Sequence, residues 1–308
     1  MAVSIFYNAD PAGVSASGNV ASYTSVNIAT ATSTRITVLV VTSELASATI
    51  DSATIDTGGG ATAMTAGTQG NFGAVYARAF YALTPSGTTA TFAVTFGANP
   101  SSTQNHISVY AVLNAAATPT AGGDGSTDMD ATDPLTTGSI TVVTDGGFIA
   151  VAAGATGTGA KAWVTATEDL DVNAGAFRHT TATYNGPFTA TAVTCTGSNN
   201  EDGAMSWLIF APLKIITAAA GSYALTGTAA SLERGRVVVA AAGSYALTGT
   251  AASLERGRDV NADAGSYALT GTATSLEYGR EVVADVGAYA LTGVDAGLVG
   301  SVGDKTLA

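Results

Sequence analysis

A repeat in the C-terminal third limits what this chain can fold into more than any other feature. Gly-Ser-Tyr-Ala-Leu-Thr-Gly begins at Gly221, Gly243 and Gly265, and returns as Gly-Ala-Tyr-Ala-Leu-Thr-Gly at Gly287, each start 22 residues after the last. Residues 221–236 and 243–258 are identical, and the third copy departs from them only at Thr274 and Tyr278. A fixed period of this size marks a repeating supersecondary unit. Such units build rods, stalks and stacks far more often than active sites.

Aligning the copies by their period separates two kinds of position. Val237 corresponds to Asp259 and Glu281, and Ala241 to Asp263 and Asp285, so these positions tolerate charge. Val238, Val260 and Val282 stay apolar, as do Ala240, Ala262 and Ala284. Alternation with one apolar face is the pattern of a strand. Tyr223 and Leu225 alternate with the opposite parity, which predicts one irregular joint across Gly243-Ser244 and another near Ala230-Ser231, before Leu232. The inward residues are small, and a single unit of 22 residues buries too little to offset its chain entropy. Winding several chains about one axis would supply the missing burial. An intertwined trimeric stalk is therefore the favoured expectation, with a monomeric β-solenoid as the alternative. The residues expected to carry oligomerisation are Tyr223, Leu225, Leu232, Val238, Tyr245, Leu247, Leu254, Val260, Tyr267, Leu269, Leu276, Val282, Tyr289 and Leu291. Arg234, Arg236, Arg256, Arg258 and Arg280 run beside Glu233, Glu255, Glu277 and Glu281, and read as ladders of ion pairs between repeats or chains.

Upstream of the repeats, composition points to an all-β protein. Charged residues make up 11% of the chain, and Gly, Ala, Thr and Ser stand in their place. Thr and Val suit pleated sheets, and Gly and Ser supply turns. Residues 1–213 carry 14 acids and 4 bases, a net charge of −10. That balance argues against a nucleic-acid footprint. Cys195 is the sole cysteine, so no intrachain disulfide forms. The N-terminus has no basic region followed by an apolar run, and no stretch has the roughly 20 apolar residues of a membrane helix. The expectation is synthesis in a cytoplasm, with no signal peptide and no membrane insertion.

Three segments follow from the patterning: 1–30 as an N-terminal strand or anchor, 31–213 as a jelly-roll-like β-sandwich, and 214–308 as the repetitive stalk. Residues 35–42 form a continuous β-branched run, predicting a strand buried on both faces. Residues 88–96 alternate strictly, with Ala90, Phe92, Val94 and Phe96 on one face. Residues 114–134 read as a loop, and Asp145-Gly146-Gly147 as a hairpin turn.

The succession 36–41, 75–83, 90–96, 107–113 leading to Thr118-Pro119, then 146–151 and 207–211 resembles β-sandwich domains of phage virion proteins and some bacterial surface proteins. The Gly-Ser-Tyr-Ala-Leu-Thr-Gly copies resemble C-terminal repeats of tailed-phage structural proteins. The resemblance implies a virion component of fibre or decoration type, with other virion proteins as partners, and brings no catalytic residues.

Few residues suggest chemistry. Asp124, Asp128, Asp130 and Asp133 gather four carboxylates within ten residues, a candidate calcium loop that matches no EF-hand spacing. Glu168-Asp169-Leu170-Asp171 is a weaker one. His106 and His179 are the only histidines, and no Gly-x-Ser-x-Gly, His-Glu-x-x-His or Cys-x-x-Cys motif occurs. No cofactor is expected beyond that calcium candidate. The expectation is a non-enzymatic structural protein of a phage particle, self-associating as a homotrimer. The alternative is a carbohydrate-binding adhesion module for a host surface glycan.

Overall fold

The computed structural model describes residues 2–213 apart from 12, 13, 15, 46–48, 131, 132, 156–158, 176 and 198–200, and, between 214 and 298, the backbone of the strands. The chain is all-β, and its described residues contain no helix. It divides into two compact units, Ala2–Pro212 and Leu213–Ala308.

The first unit opens with β1 (Ser4–Ala9), β2 (Val20–Asn27), β3 (Ile36–Glu44), β4 (Ile50–Asp56), β5 (Thr62–Ala63), β6 (Thr65–Phe72), β7 (Val75–Leu83), β8 (Thr89–Phe96) and β9 (Asn105–Leu113). It continues with β10 (Ala121–Met129), β11 (Leu135–Val142), β12 (Gly147–Ala155), β13 (Ala162–Val164), β14 (Thr167–Asn173), β15 (Phe177–Asn185), β16 (Phe188–Thr196) and β17 (Glu201–Phe210). Four antiparallel sheets result. The two large ones are ordered β1-β9-β3-β7-β6 and β10-β17-β12-β15-β14, and the two small ones β2-β8-β4-β5 and β11-β16-β13.

The two large sheets share one order, and the small ones agree apart from β5. Each large sheet has the first strand of its half at one edge, the last strand beside it, and the third strand in the centre. Registers agree as well. Val40 of β3 faces Ser108 of β9, and Val151 of β12 faces Ser206 of β17. Even the irregularity repeats: the β6–β7 ladder slips between Ala66 and Gln69, and the β14–β15 ladder between Glu168 and Leu170. The expected single sandwich over 31–213 is therefore two sandwiches of like topology, and residues 2–30 belong to the first, with β1 as an edge strand.

Side-chain alternation explains how the two halves join. On β3, Leu39 and Val41 pack against the first small sheet, whereas Ile36, Val38 and Val40 point the other way. On β12, Phe148, Ala150 and Ala152 face the second small sheet, whereas Ile149, Val151 and Ala153 meet the residues of β3. The large sheets thus lie face to face, and the unit has four layers and three apolar interlayers. An antiparallel strand in a middle layer has no wet side, so its sequence loses the alternation of a half-buried strand. That accounts for the continuous apolar runs of β3, β9, β12 and β17. The outer strand β8 keeps strict alternation, with Ala90, Phe92, Val94 and Phe96 buried.

Two turn readings are corrected. Residues 121–129 form β10 rather than part of a loop; the strand is an edge of Gly, Ser, Thr and Asp that lacks the apolar signature of its partner β17. Asp145-Gly146 does not close a hairpin, because β11 pairs with β16 and β12 with β15 and β17. The turn carries the chain from a small sheet to a large one, with Asp145 at φ 62.

In the second unit a long and a short strand alternate: β18 (Lys214–Ala218), β19 (Gly221–Leu232), β20 (Arg236–Ala240), β21 (Gly243–Leu254), β22 (Asp259–Ala262), β23 (Ser266–Leu276), β24 (Glu281–Ala284) and β25 (Ala288–Leu298). Long strands pair with long ones and short with short, all parallel, giving the sheets β19-β21-β23-β25 and β18-β20-β22-β24. Tyr223 pairs with Tyr245, Tyr245 with Tyr267, and Tyr267 with Tyr289, so every repeat lies in register on the next. β19 runs on past Ala230-Ser231 to Leu232, so no turn divides the strand there. The inward and outward parities and the arginine ladders concern side chains outside the described residues.

Candidate functional site

The apolar layer between the two large sheets holds a polar cluster built by strands from both halves. Thr42 follows the apolar run of β3, His106 and Ser108 lie on β9, and His179 comes across from β15. His179 Nδ1 is 2.7 Å from Thr42 Oγ1, and its Nε2 is 2.8 Å from Ser108 Oγ. The His106 and His179 rings lie 4.6 Å apart. His106 Nε2 in turn bonds Asp10 Oδ1, just beyond β1. Nearby, Tyr110 donates to Asp169 Oδ2 over 3.0 Å, and Tyr7 stands edge-on to Tyr110.

Burial sets the electrostatics. His179 has no exposed surface, and its pKa lies well below the ordinary 6.5, first because burial penalises the imidazolium and then because His106 is beside it. The ring is therefore neutral, with one nitrogen donating and the other accepting, and the two hydroxyls can serve either role. Burial, then the Asp10 charge, pushes the Tyr7 phenol up to about 12. Asp169 is raised by burial, although Tyr110 and Thr183 donate to it.

Ser108 and His179 have the separation of a nucleophile and its base. Both are fully buried, and the third partner is the Thr42 hydroxyl where a triad has a carboxylate. A substrate carbonyl has no way to the Ser108 oxygen. The arrangement instead ties the two halves together through a satisfied polar network. It also brings ligand-type atoms of Asp10, His106 and His179 within 4.8 Å of one another. One oxygen and two imidazole nitrogens suit a zinc-like cation. To bind it, His179 would have to give up a hydroxyl partner.

No family model matches the chain, and no curated protein or solved structure does either.

The sequence-derived candidates fare differently. Asp124 and Asp128 are exposed on β10, four residues apart along an extended strand, which is roughly 13 Å. Asp130 Oδ1 caps the turn by accepting from the Asp133 amide, and Thr127 donates to Asp133 Oδ2. The four carboxylates do not converge on one point. In the second acidic group, Asp169 is held by Tyr110 and Thr183, and Asp171 by both arms of Arg178. The oligomerisation residues, from Tyr223 to Leu291, lie on the stacked strands β19 to β25, with side chains outside the described residues. Cys195 is buried, and burial raises its thiol, which makes it a packing residue.

Asp10, Thr42 and Ser108 were not singled out from the sequence. A signal existed: Thr42 and Ser108 interrupt apolar runs at positions that cannot face water, and a buried hydroxyl needs a partner.

Proposed function

We propose that the chain is a non-enzymatic structural protein of a bacteriophage particle, a fibre or surface decoration component. In this reading residues 2–212 are a rigid pair of jelly rolls, and the C-terminal repeats form a stalk that mediates self-association as a homotrimer. The observation that carries it is the in-register parallel pairing of every 22-residue repeat with the next. A stack of this kind transmits force along its axis and leaves strand edges at its ends, where a further copy or another virion protein can add.

The strand order supports the jelly-roll assignment. Setting β6 aside, the first half reads first-eighth-third-sixth in its large sheet and second-seventh-fourth-fifth in its small one, the order of a double Greek key. Pairing within one chain favours stacks that associate side by side over chains that intertwine. The sealed Ser108–His179 pair supports a non-enzymatic role.

The test is to express the chain in a host producing the particles, purify them, and image them by electron cryomicroscopy. Stoichiometric copies at fixed sites are expected. Particles that lack the protein would overturn the assignment.

A further inference from the structure

Lys161 and Glu201 make an ion pair in which both side chains are fully buried, unlike the other ion pairs described. Lys161 stands immediately before β13, in a small sheet, and Glu201 begins β17, in a large one. The Lys161 amide donates to Asp171 Oδ2 over 3.0 Å, and Asp171 is clamped by Arg178, which fixes the backbone from which the lysine enters the interior. Glycines clear the space around the two heads. A Cβ at Gly154 would stand 2.9 Å from Lys161 Nζ, and one at Gly197 would stand 2.8 Å from Glu201 Oε1. The wall there is the Met129 side chain.

The pair is poorly solvated by the protein. Nζ bonds Glu201 Oε1 and, at 3.3 Å, the Gly159 carbonyl. Glu201 Oε2 has no hydrogen-bond partner among the described residues. Two charges out of water are tolerated only when their remaining lone pairs and protons are satisfied, and among the described residues an oxygen of the anion is not. Chemistry that removes both charges would relieve this, and the reacting groups are already in contact.

We propose that Lys161 and Glu201 condense in the folded protein to an intramolecular isopeptide bond. One ammonium proton passes to the carboxylate, leaving amine and acid. Nζ then attacks Cδ, and the tetrahedral intermediate expels one carboxyl oxygen as water, which carries off that proton and one from the nitrogen. The Nζ–Cδ bond forms, one Cδ–O bond breaks, and nothing is oxidised or reduced. The product is a neutral amide whose N–H can keep the Gly159 carbonyl as acceptor. It would bolt the segment before β13 to β17, closing the second sandwich across its two sheets. The inference is independent of the virion reading.

The full chain is purified, denatured and weighed intact by mass spectrometry, then digested with trypsin. The expected mass is that of the sequence, as processed at its N-terminus, less one water. Lys161 should resist cleavage, with its peptide joined to the one containing Glu201. Lys161→Met and Glu201→Ala should each restore the full mass for their sequence. A wild-type chain of full mass, cleaved after Lys161, overturns the proposal, and needs neither variant to fold. A lost water that maps to a succinimide at Asp124-Gly125, Asp145-Gly146 or Asp202-Gly203, with Lys161 cleavable, overturns it equally.

Discussion

At the scale of single residues, the centre of the first unit depends on His179 staying neutral. Its pKa in the folded chain is below the 6.5 of a free imidazole. The stability tied to its burial is therefore complete above about pH 6.5 and drains away as the pH falls toward the folded value, at up to about 1.4 kcal/mol per pH unit. Asp169 acts in the opposite sense, since burial raises its pKa and protonation in the carboxylate range relieves a cost. Urea unfolding of wild type should thus weaken between about pH 6.5 and 5, and His179→Gln should lose less over that window; equal slopes would refute the assignment. Gly70 offers a second test. A Cβ there would come 2.1 Å from the Met205 carbonyl oxygen, where β6 crosses β17, whereas Gly59 has open space around it. Gly70→Ala should cost about 1–3 kcal/mol in urea unfolding, and Gly59→Ala should stay within about 0.5 kcal/mol. The close approach at Gly70 comes from a sheet in the other half of the unit, so local sequence around Gly70 carries no trace of it.

At the scale of strands, apolar content read well where it was strong. The run at 35–42 became β3, buried on both faces, and the alternation at 88–96 became β8 with its expected inward set. Phe80 and Phe92 are both fully buried in the first interlayer. Phe80→Ala should cost about 3–5 kcal/mol in chemical unfolding, and a loss under 1 kcal/mol would contradict that packing. Legibility failed at strands whose identity comes from a partner. β10 is nearly all small and polar, and is a strand because β17 offers it an edge. Asp145-Gly146 carries hairpin chemistry, yet its flanking strands find other partners. The duplication was hidden for a related reason. Ser108 and Ser206 occupy equivalent places, but β9 and β17 share an apolar pattern more than they share residues.

For the whole molecule, the face-to-face large sheets make each half dependent on the other. Residues 116–213 alone would expose Ile149, Val151, Phe177, Leu208 and Phe210 to water, an apolar patch of the kind that drives association. That half expressed alone should aggregate or dimerise, whereas residues 1–213 should be soluble; a monodisperse, monomeric half would count against the four-layer account. The repeats were the most legible feature of the sequence. Their period of 22 is the offset between paired strands, because identical segments stack best in register. The sequence could not say whether one chain or several would do the stacking, since the ladder is the same either way. The proposed function stands on the stacked repeats making the protein a homotrimer, which light scattering on the full chain and on residues 1–213 checks. Three times the 30.2 kDa chain mass is expected for the full protein and a monomer for the truncated one. A full chain at the mass of one copy, or a truncated chain that keeps the oligomer, would contradict it.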